Sequence, residues 1–520
     1  MRHRGWRVGT DPVGRITKVE NHDAAYHAWL DAGVRRRILI HIDAHHDMWW
    51  VSDPGEITIA NFISPALAED IVREVFWVVP DRTWDGKRGL RPVLRHLRQV
   101  TERYPGARSA IQIEKNRISA VVLGKKLTVC PLALLPQIDE DVLLDIDVDF
   151  LVIPRVSYGV PDEHGVLPWC WPGELVARLR AAAVRTDLVT IAYSVEGGYT
   201  PLRWKYLGDE LMERLAELGG GTPTIRGMDL MREAALATER GDLTGAERKY
   251  HEVTTSLPDC AAPYCHLAYL LVERGRTGEA QKLYRHALAL DPSYRTPYSG
   301  TGFTLYWDGR FAEAEKEYRR LLTLDPQDPF TLLGLALVAA QRRRWDEAAG
   351  LLHTALALDE RLVDGYRALG HVLTHQGRRR EAIAAYERSL QLTLAGHKPI
   401  ERPIATDVQN GRVVDPDHCL VHACLAQLYA SLGATTRAIS GYQISIAGGH
   451  DGLGLRGRLA WLYLKQGDWR TALAQLWRLL LVSPGQLQQA GHRFYRRLQR
   501  AVDGRGRYRL ARAFSSSAAR

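Results

Sequence analysis

Cysteine is scarce in this chain, with six residues in 520. That is too few to staple a secreted scaffold. Long apolar runs are missing as well. No stretch of 18 apolar residues occurs, so no membrane-spanning helix is expected. The basic opening, Met1 to Arg7, is not followed by an apolar segment, so no secretory signal is expected. These absences point to a reducing, cytoplasmic setting. There is no phosphate-binding loop, no dinucleotide-binding glycine fingerprint and no nucleic-acid-binding module, so neither nucleic acid nor membrane is an expected partner. The pairs Cys260/Cys265 and Cys419/Cys424 lack further ligands at zinc spacing and read as helix-core thiols.

Wholesale disorder is excluded too, because 46% of residues are hydrophobic and 25% charged. The net charge of +9 is unevenly spread. Residues 1–222 carry 28 Lys and Arg against 30 Asp and Glu, whereas 223–520 carry 41 against 30. The two parts therefore have different tasks, and the basic one can attract an acidic partner.

The second part repeats itself. Ala246, Ala280, Ala314, Ala348 and Ala382 are each 34 residues apart, and Ala438 and Ala472 resume the series after one step of 56. Gly241, Gly275, Gly309, Gly377, Gly433 and Gly467 keep the same register, with Arg343 standing where a glycine is expected. Pro258, Pro292, Pro326 and Pro484 close their units. This resembles the tetratricopeptide repeat, with two antiparallel helices per unit and small residues where they cross. About seven units fit in 223–486. Residues 397–418 read as a loop inserted between the fifth and sixth. Residues 487–520 read as a capping helix and a frayed tail.

The first part, 1–222, alternates short apolar strands (37–42, 75–79, 120–122, 142–150, 188–193) with helices (24–32, 66–75, 173–185). Apolar strands separated by helices predict an α/β domain with a parallel sheet covered on both faces. Gly219 to Pro223 is the expected hinge to the repeats.

Acids stand where a buried strand is expected. Asp145, Asp147 and Asp149 occur at spacing two, which places all three on one face of a strand. Uncompensated buried carboxylates cost several kcal/mol each, so a divalent cation is the simplest compensation; a solvated edge strand is the alternative. A second apolar strand runs into Asp43, His45 and Asp47, again of one parity. Ligands in open α/β sheets gather at strand C-termini. Mixed imidazole and carboxylate donors suit Mn, Fe, Zn or Co. His46 has the wrong parity and His41 lies deeper in the strand, so both read first as packing or supporting residues.

Asp43-Ala44-His45-His46-Asp47 resembles the Asp-Ala-His-x-Asp motif of the arginase–agmatinase ureohydrolases, whose fold is shared with histone deacetylases. In more detail, residues 15–215 resemble the peptide arginases, through Val19-Glu20-Asn21-His22, the doubled histidine of 43–47, Leu144 to Phe150, and Ser194-Val195-Glu196-Gly197-Gly198-Tyr199. The resemblance implies a three-layer arginase/deacetylase-like domain followed by an all-α tetratricopeptide solenoid. It implies two Mn²⁺ ions, with Fe²⁺ or Co²⁺ as alternatives, held by His22, Asp43, His45, Asp47, Asp147 and Asp149, with Asp147 bridging and Asp43 bridging too. Asp145 and Asp23 become supporting residues, although pairing Asp145 with Asp147 is the other reading. Glu196 would grip a guanidinium.

The implied activity converts arginine side chains of a peptide or protein to ornithine with release of urea. The repeats would bind the substrate, including an acidic leader segment. Tyr199 matches the deacetylase branch and supports the alternative of a metal-dependent amide deacylase. A further alternative is a non-catalytic repeat scaffold with a degenerate metal domain. The chain departs from the family at its proton-shuttling histidine, where Asn61 stands; His46 is the substitute the sequence offers.

Overall fold

The computed structural model describes residues 16–49, 57–103, 111–157, 166–195, 199–216, 222–295, 301–307, 309–397, 406–407, 412–413, 416–448 and 453–482. Residues up to 414 form one compact unit and those from 415 onward a second.

The first unit begins with an eight-stranded sheet. Its strands are β1 (Ile16–Val19), β2 (Arg37–Ile42), β3 (Val72–Val79), β4 (Gln112–Ile113), β5 (Ile118–Val122), β6 (Lys125–Pro131), β7 (Asp141–Asp147) and β8 (Arg185–Ala192). Their order is β1-β8-β7-β2-β3-β6-β5-β4. Pairing from β1 across to β6 is parallel, and β5 and β4 add an antiparallel edge. The sheet is therefore mixed, where the strand pattern predicts a parallel one. Gly124, with φ +73°, turns β5 back on β6, and a turn that tight only permits antiparallel neighbours.

Helices lie on both faces, because each strand's alternate residues face opposite cores. Ile38, Ile40, Ile42, Leu144, Ile146, Val189 and Ile191 pack with α5 (Pro172–Ala181) and α6 (Tyr206–Ala216). Leu39, Val75, Trp77, Leu127 and Leu143 pack with α1 (Ala24–Asp31), α2 (Ile63–Ala68) and α3 (Gly86–Arg103). Several element boundaries differ from expectation; the helix expected over 173–185, for one, ends at Ala181, and β8 begins at Arg185. The helix predicted over 66–75 is α2, and β3 already begins at Val72. The strand predicted over 142–150 stops at Asp147, and Asp149 opens the helical turn α4 (Asp149–Val152).

The repeats follow as helix pairs: α7 (Pro223–Glu239) with α8 (Leu243–Ser256), α9 (Ala261–Glu273) with α10 (Thr277–Leu290), α11 (Thr301–Trp307) with α12 (Phe311–Leu324), α13 (Pro329–Gln341) with α14 (Trp345–Leu358), and α15 (Val363–His375) with α16 (Arg379–Leu394). The second unit holds α17 (Pro416–Ser431) with α18 (Thr435–Ala447), and α19 (Leu453–Lys465) with α20 (Trp469–Val482).

All seven periodic alanines are fully buried, as a close helix crossing requires. The periodic glycines take φ between +73° and +83° in the turn inside each pair, and Arg343 takes +59° in the same place. In the inserted loop, Thr406–Asp407 pairs with Arg412–Val413 as a short antiparallel ladder. The segment 487–520 and Pro484 lie outside the described residues.

The hydrophobic core does not stop at residue 222. Trp204, Tyr206, Leu207 and Leu211 share one continuous core with Met228, Met231, Cys265, Leu267 and Tyr294. Lys205 Nζ pairs with Asp291 Oδ2 at 2.6 Å across the same seam. Thr222 caps α7 by accepting the Ile225 N–H at 3.2 Å, with Pro223 as the first helical residue. The expected hinge glycines 219–221 lie outside the described residues. The apolar contact on either side of them makes the first two repeats a third wall of the sheet domain. No helix among the described residues is long and apolar enough to cross a membrane.

Candidate metal centre

Parallel pairing brings the C-terminal ends of β1, β8, β7 and β2 to one edge of the sheet. Glu20 to His22, Ser194, Asp147 to Asp149, and Asp43 to Asp47 emerge there side by side. β2 ends at Ile42, so Asp43, His45 and Asp47 converge through a turn and not through strand alternation. Asp47 has φ +48° and Ser194 φ +50°, left-handed conformations that non-glycine residues adopt at a cost of about 1–2 kcal/mol.

Asp43 stands at the middle. Its Oδ2 lies 3.1 Å from His22 Nδ1 and 3.4 Å from His41 Nε2. Its Oδ1 lies 3.2 Å from His45 Nδ1 and accepts the His45 backbone N–H at 2.7 Å. On the Oδ2 side, His22 Nδ1 also faces Asp147 Oδ2 at 3.1 Å and Asp47 Oδ2 at 3.3 Å. On the Oδ1 side, His45 Nδ1 faces Asp149 Oδ2 at 3.0 Å. Donor atoms of His22, Asp43 and Asp147, of His41, Asp43 and Asp47, and of Asp43, His45 and Asp149 fall within 4.8 Å of one another in each set. Asp43 belongs to all three of these; a fourth set, of His22, His41 and Asp145, does not include it. Asp147 joins Asp43 in the His22 set, and Asp149 joins it in the His45 set.

Asp145 supports this centre from beneath. Its Oδ2 lies 2.8 Å from both His22 Nε2 and His41 Nδ1, and Thr190 Oγ1 donates to its Oδ1. One carboxylate thus orients two imidazoles, leaving His22 Nδ1 and His41 Nε2 to face the cluster. A carboxylate behind a histidine is the arrangement that fixes the tautomer of a metal-binding imidazole. Asp147 is held in turn by Ser194 Oγ at 2.6 Å and by the Asp149 N–H at 2.9 Å.

The electrostatics fit cation binding. His22, His41, Asp43, Asp47, Asp145, Asp147 and Asp149 are all buried. Burial pushes Asp47 up to about 6, with the Asp43 charge adding to the rise. Burial, then Asp147 and Asp43, hold Asp149 well above the usual carboxylate range. Burial alone would lower His22, but Asp145, Asp147 and Asp43 outweigh it and hold the imidazole well above its ordinary value. Asp43 goes the other way: its histidine neighbours outweigh burial and keep it well below. Buried atoms of the cluster also lack hydrogen-bond partners, namely His41 Nε2, Asp43 Oδ2 and both oxygens of Asp149. Unpartnered imidazole and carboxylate atoms from the end of β2, its following turn and α4 have the chemistry to hold a metal ion.

The remaining candidates fare differently. Tyr199 is brought to the centre: its ring lies 5.1 Å from that of His45. Glu196 lies outside the described residues. Asp23 precedes α1, and the carboxylate bonded to His22 Nε2 is Asp145, 123 positions away. His46 is not brought to the cluster. Its ring is buried against Trp49, Trp77 and His96, and its Nδ1 accepts the Met48 N–H at 3.0 Å. Burial, then His96, push it well below the ordinary histidine value.

Asn61 is structural, accepting the Thr58 N–H at 2.8 Å. His41, expected as a packing or supporting residue, lies within the cluster, with Nδ1 2.8 Å from Asp145 Oδ2. Its Nε2 faces Asp43 Oδ2 at 3.4 Å across the turn that follows β2.

Two family models of the tetratricopeptide repeat match the chain, one over residues 265–329 and one over 331–363 and 366–397. The chain thus carries tetratricopeptide repeats in its second part. No curated protein sequence matches it. Among solved structures it is similar to MamA, at 19% identity over 36% of this chain and 97% of that one, TM-score 0.29. It is also similar to PilF of Pseudomonas aeruginosa, at 20% identity over 46% and 97%, TM-score 0.32. YrrB, described as a tetratricopeptide protein with an unusual peptide-binding site, aligns at 19% identity over 40% and 95%, TM-score 0.26.

Proposed function

We propose that the sheet domain is a binuclear metal hydrolase, with Mn²⁺ the foremost candidate and Fe²⁺ or Co²⁺ the alternatives. Its substrate would be an arginine side chain within a peptide or protein, converted to ornithine with release of urea. The observation that carries this reading is Asp43, whose two oxygens face separate donor sets. His22, His41, Asp47 and Asp147 would serve one ion, and His45 and Asp149 the other. Bound divalent ions supply Lewis acidity and a water that ionises near neutral pH.

The chain's own residues do the rest. Asp145 keeps His22 and His41 in the tautomers that face the ions. Ser194 and the Asp149 N–H hold Asp147 in place. Glu196 grips the planar guanidinium through paired, charge-assisted hydrogen bonds. Water adds to the guanidinium carbon, the bond from that carbon to Nε breaks, urea leaves, and the ornithine amine takes the proton. The repeats bind the flanking peptide, since stacks of this kind present extended peptide-binding surfaces.

Tyr199 beside His45 favours a second reading, a metal-dependent amide deacylase in which the phenol polarises an acyl carbonyl. One experiment separates the two. Incubation of the Mn-loaded protein with arginine-containing and acyl-lysine-containing peptides is followed by mass spectrometry. A loss of about 42 Da per arginine, the mass of CN₂H₂, marks ornithine formation. Loss of the acyl group with arginine untouched establishes the deacylase, and no change to either peptide leaves the scaffold reading.

A further inference from the structure

The repeat array places two versions of one charged arrangement 68 residues apart. In the first, Glu247 on α8 is paired with Arg274 and Arg276 from the turn of the next repeat, both at 2.5 Å. Arg276 also holds Glu279 at 2.5 Å. In the second, Glu315 on α12 is paired with Arg342 at 2.6 Å and Arg344 at 2.8 Å, and Arg344 also holds Glu347 at 2.9 Å. The two sets correspond residue for residue, so the shared part is a latch between successive repeats. It neutralises itself, with two acids against two guanidinium groups.

The second version departs from the first at one position. His251, 3.8 Å from Glu247, is replaced by Arg319, which reaches the same buried Glu315 at 2.5 Å. Three guanidinium groups now converge on one carboxylate. Together they offer far more donors than its lone pairs can accept. Lys316, where the first version has Arg248, brings the positive charges to four. Against Glu315 and Glu347 the cluster keeps a net charge of +2. Glu315, Lys316, Arg319, Arg342 and Arg344, with Ala312, line a cavity of about 720 Å³ between α12 and the turn at 342–344. The side chains of Arg319 and Arg342 are about half exposed, so their free donors remain open to a ligand.

We propose that this cavity is a carboxylate-binding site that receives acidic side chains of a partner peptide. Glu315 acts as the internal template: it draws the guanidinium forks together, and the donors it leaves over take a second carboxylate in the same geometry. Arginine forks match a planar carboxylate bidentately, which a lysine cannot do. The site lies on the second helix and the turn of the repeats. It concerns the repeats alone and stands or falls independently of the chemistry assigned to the metal centre.

The test uses the full-length protein and a fluorescein-labelled hexaglutamate peptide, followed by anisotropy. Arg319→His restores the arrangement found two repeats earlier, where the latch is intact, so the variant keeps its fold; thermal melting checks this. The expected result is hexaglutamate binding that weakens about fivefold in Arg319→His and further in Arg319→His/Lys316→Gln. The same binding fades as salt rises from about 50 to about 500 mM. Arg274→Gln, in the corresponding latch, leaves it unchanged. Equal affinity of the native protein and Arg319→His for hexaglutamate would overturn the proposal. Equal affinity for hexaglutamine would do so as well. Tighter binding of a single-stranded RNA hexamer through the same residues would replace a peptide partner with a nucleic acid.

Discussion

His266 Nε2 lies 2.8 Å from the backbone oxygen of Arg203, and this bond ties the second repeat to the segment that leads away from Tyr199. Tyr250 Oη lies 3.4 Å from the other ring nitrogen, so the buried imidazole is held neutral. Burial lowers its pKa to about 4, despite the bond to Arg203. The unfolded chain takes up a proton near pH 6.5, and the folded one only near 4. Stability from this group is therefore complete above about pH 6.5 and declines as pH falls toward 4, by about 1.4 kcal/mol per unit. Thermal melts at pH 7.5 and 5.0 should show a larger drop for the native protein than for His266→Gln. Equal drops would mean that His266 does not contribute.

The shared core makes a second prediction about the same seam. A fragment ending at residue 222 exposes Trp204, Leu207 and Leu211, each worth about 1.5–3 kcal/mol of burial. It should aggregate or melt well below a fragment ending at residue 295, which retains the first two repeats and the Lys205–Asp291 pair. Size-exclusion chromatography and calorimetry of the two fragments decide this. A well-behaved 1–222 fragment with native-like melting would contradict the continuous core.

Asp43 and Asp149 should separate the two metal positions. Asp43→Ala removes the carboxylate common to both donor sets, so elemental analysis after dialysis should find neither ion at stoichiometric level. Asp149→Asn touches the His45 set alone and should leave about one ion per chain. Retention of two ions by Asp43→Ala would refute the bridging assignment.

Asp145 touches two histidines and no other member of the cluster at hydrogen-bond distance. Asp145→Asn keeps the shape but removes the charge behind both imidazoles. Metal affinity should fall about 10–100-fold, as is usual for residues that orient a ligand. His41→Gln should weaken binding as well, because His41 Nε2 faces the same donor set; unchanged affinity would mean that the ring only packs. Titration with Mn²⁺ followed by calorimetry measures both.

Arg343 occupies a left-handed position that glycine fills in the other repeats. Arg343→Gly should stabilise the array by about 0.5–1 kcal/mol, because relief of steric strain exceeds the extra entropy of an unfolded glycine. Gly377→Ala at φ +76° should cost a similar amount. Melting temperatures of the two variants should move in opposite directions.

The repeats were legible in the chain itself because their determinants are local and recur. A buried alanine every 34 residues sets the helix crossing, and a residue able to take positive φ sets each turn, Arg343 included. The polar cluster was legible for a related reason. Asp43, His45 and Asp47 sit together at one strand end, and Asp145, Asp147 and Asp149 at another, where an apolar run makes charge conspicuous. What each of those side chains does depended on tertiary structure.

Asp145 turned to two histidines and Asp149 to a third, because β7 ends at Asp147 and the chain then coils into a helical turn. His41 became a member of the cluster only once β7 paired beside β2 and set Asp145 against its Nδ1. His46, next to His45 in the chain, went into an aromatic pocket formed by Trp77 of β3 and His96 of α3. The continuity of the core across residue 222 was invisible as well. It joins residues around Trp204 to others around His266, and packing between such distant segments leaves no period or motif in the chain. Local backbone preferences are written in neighbouring residues, whereas partnership between buried side chains is decided by which strands lie next to each other.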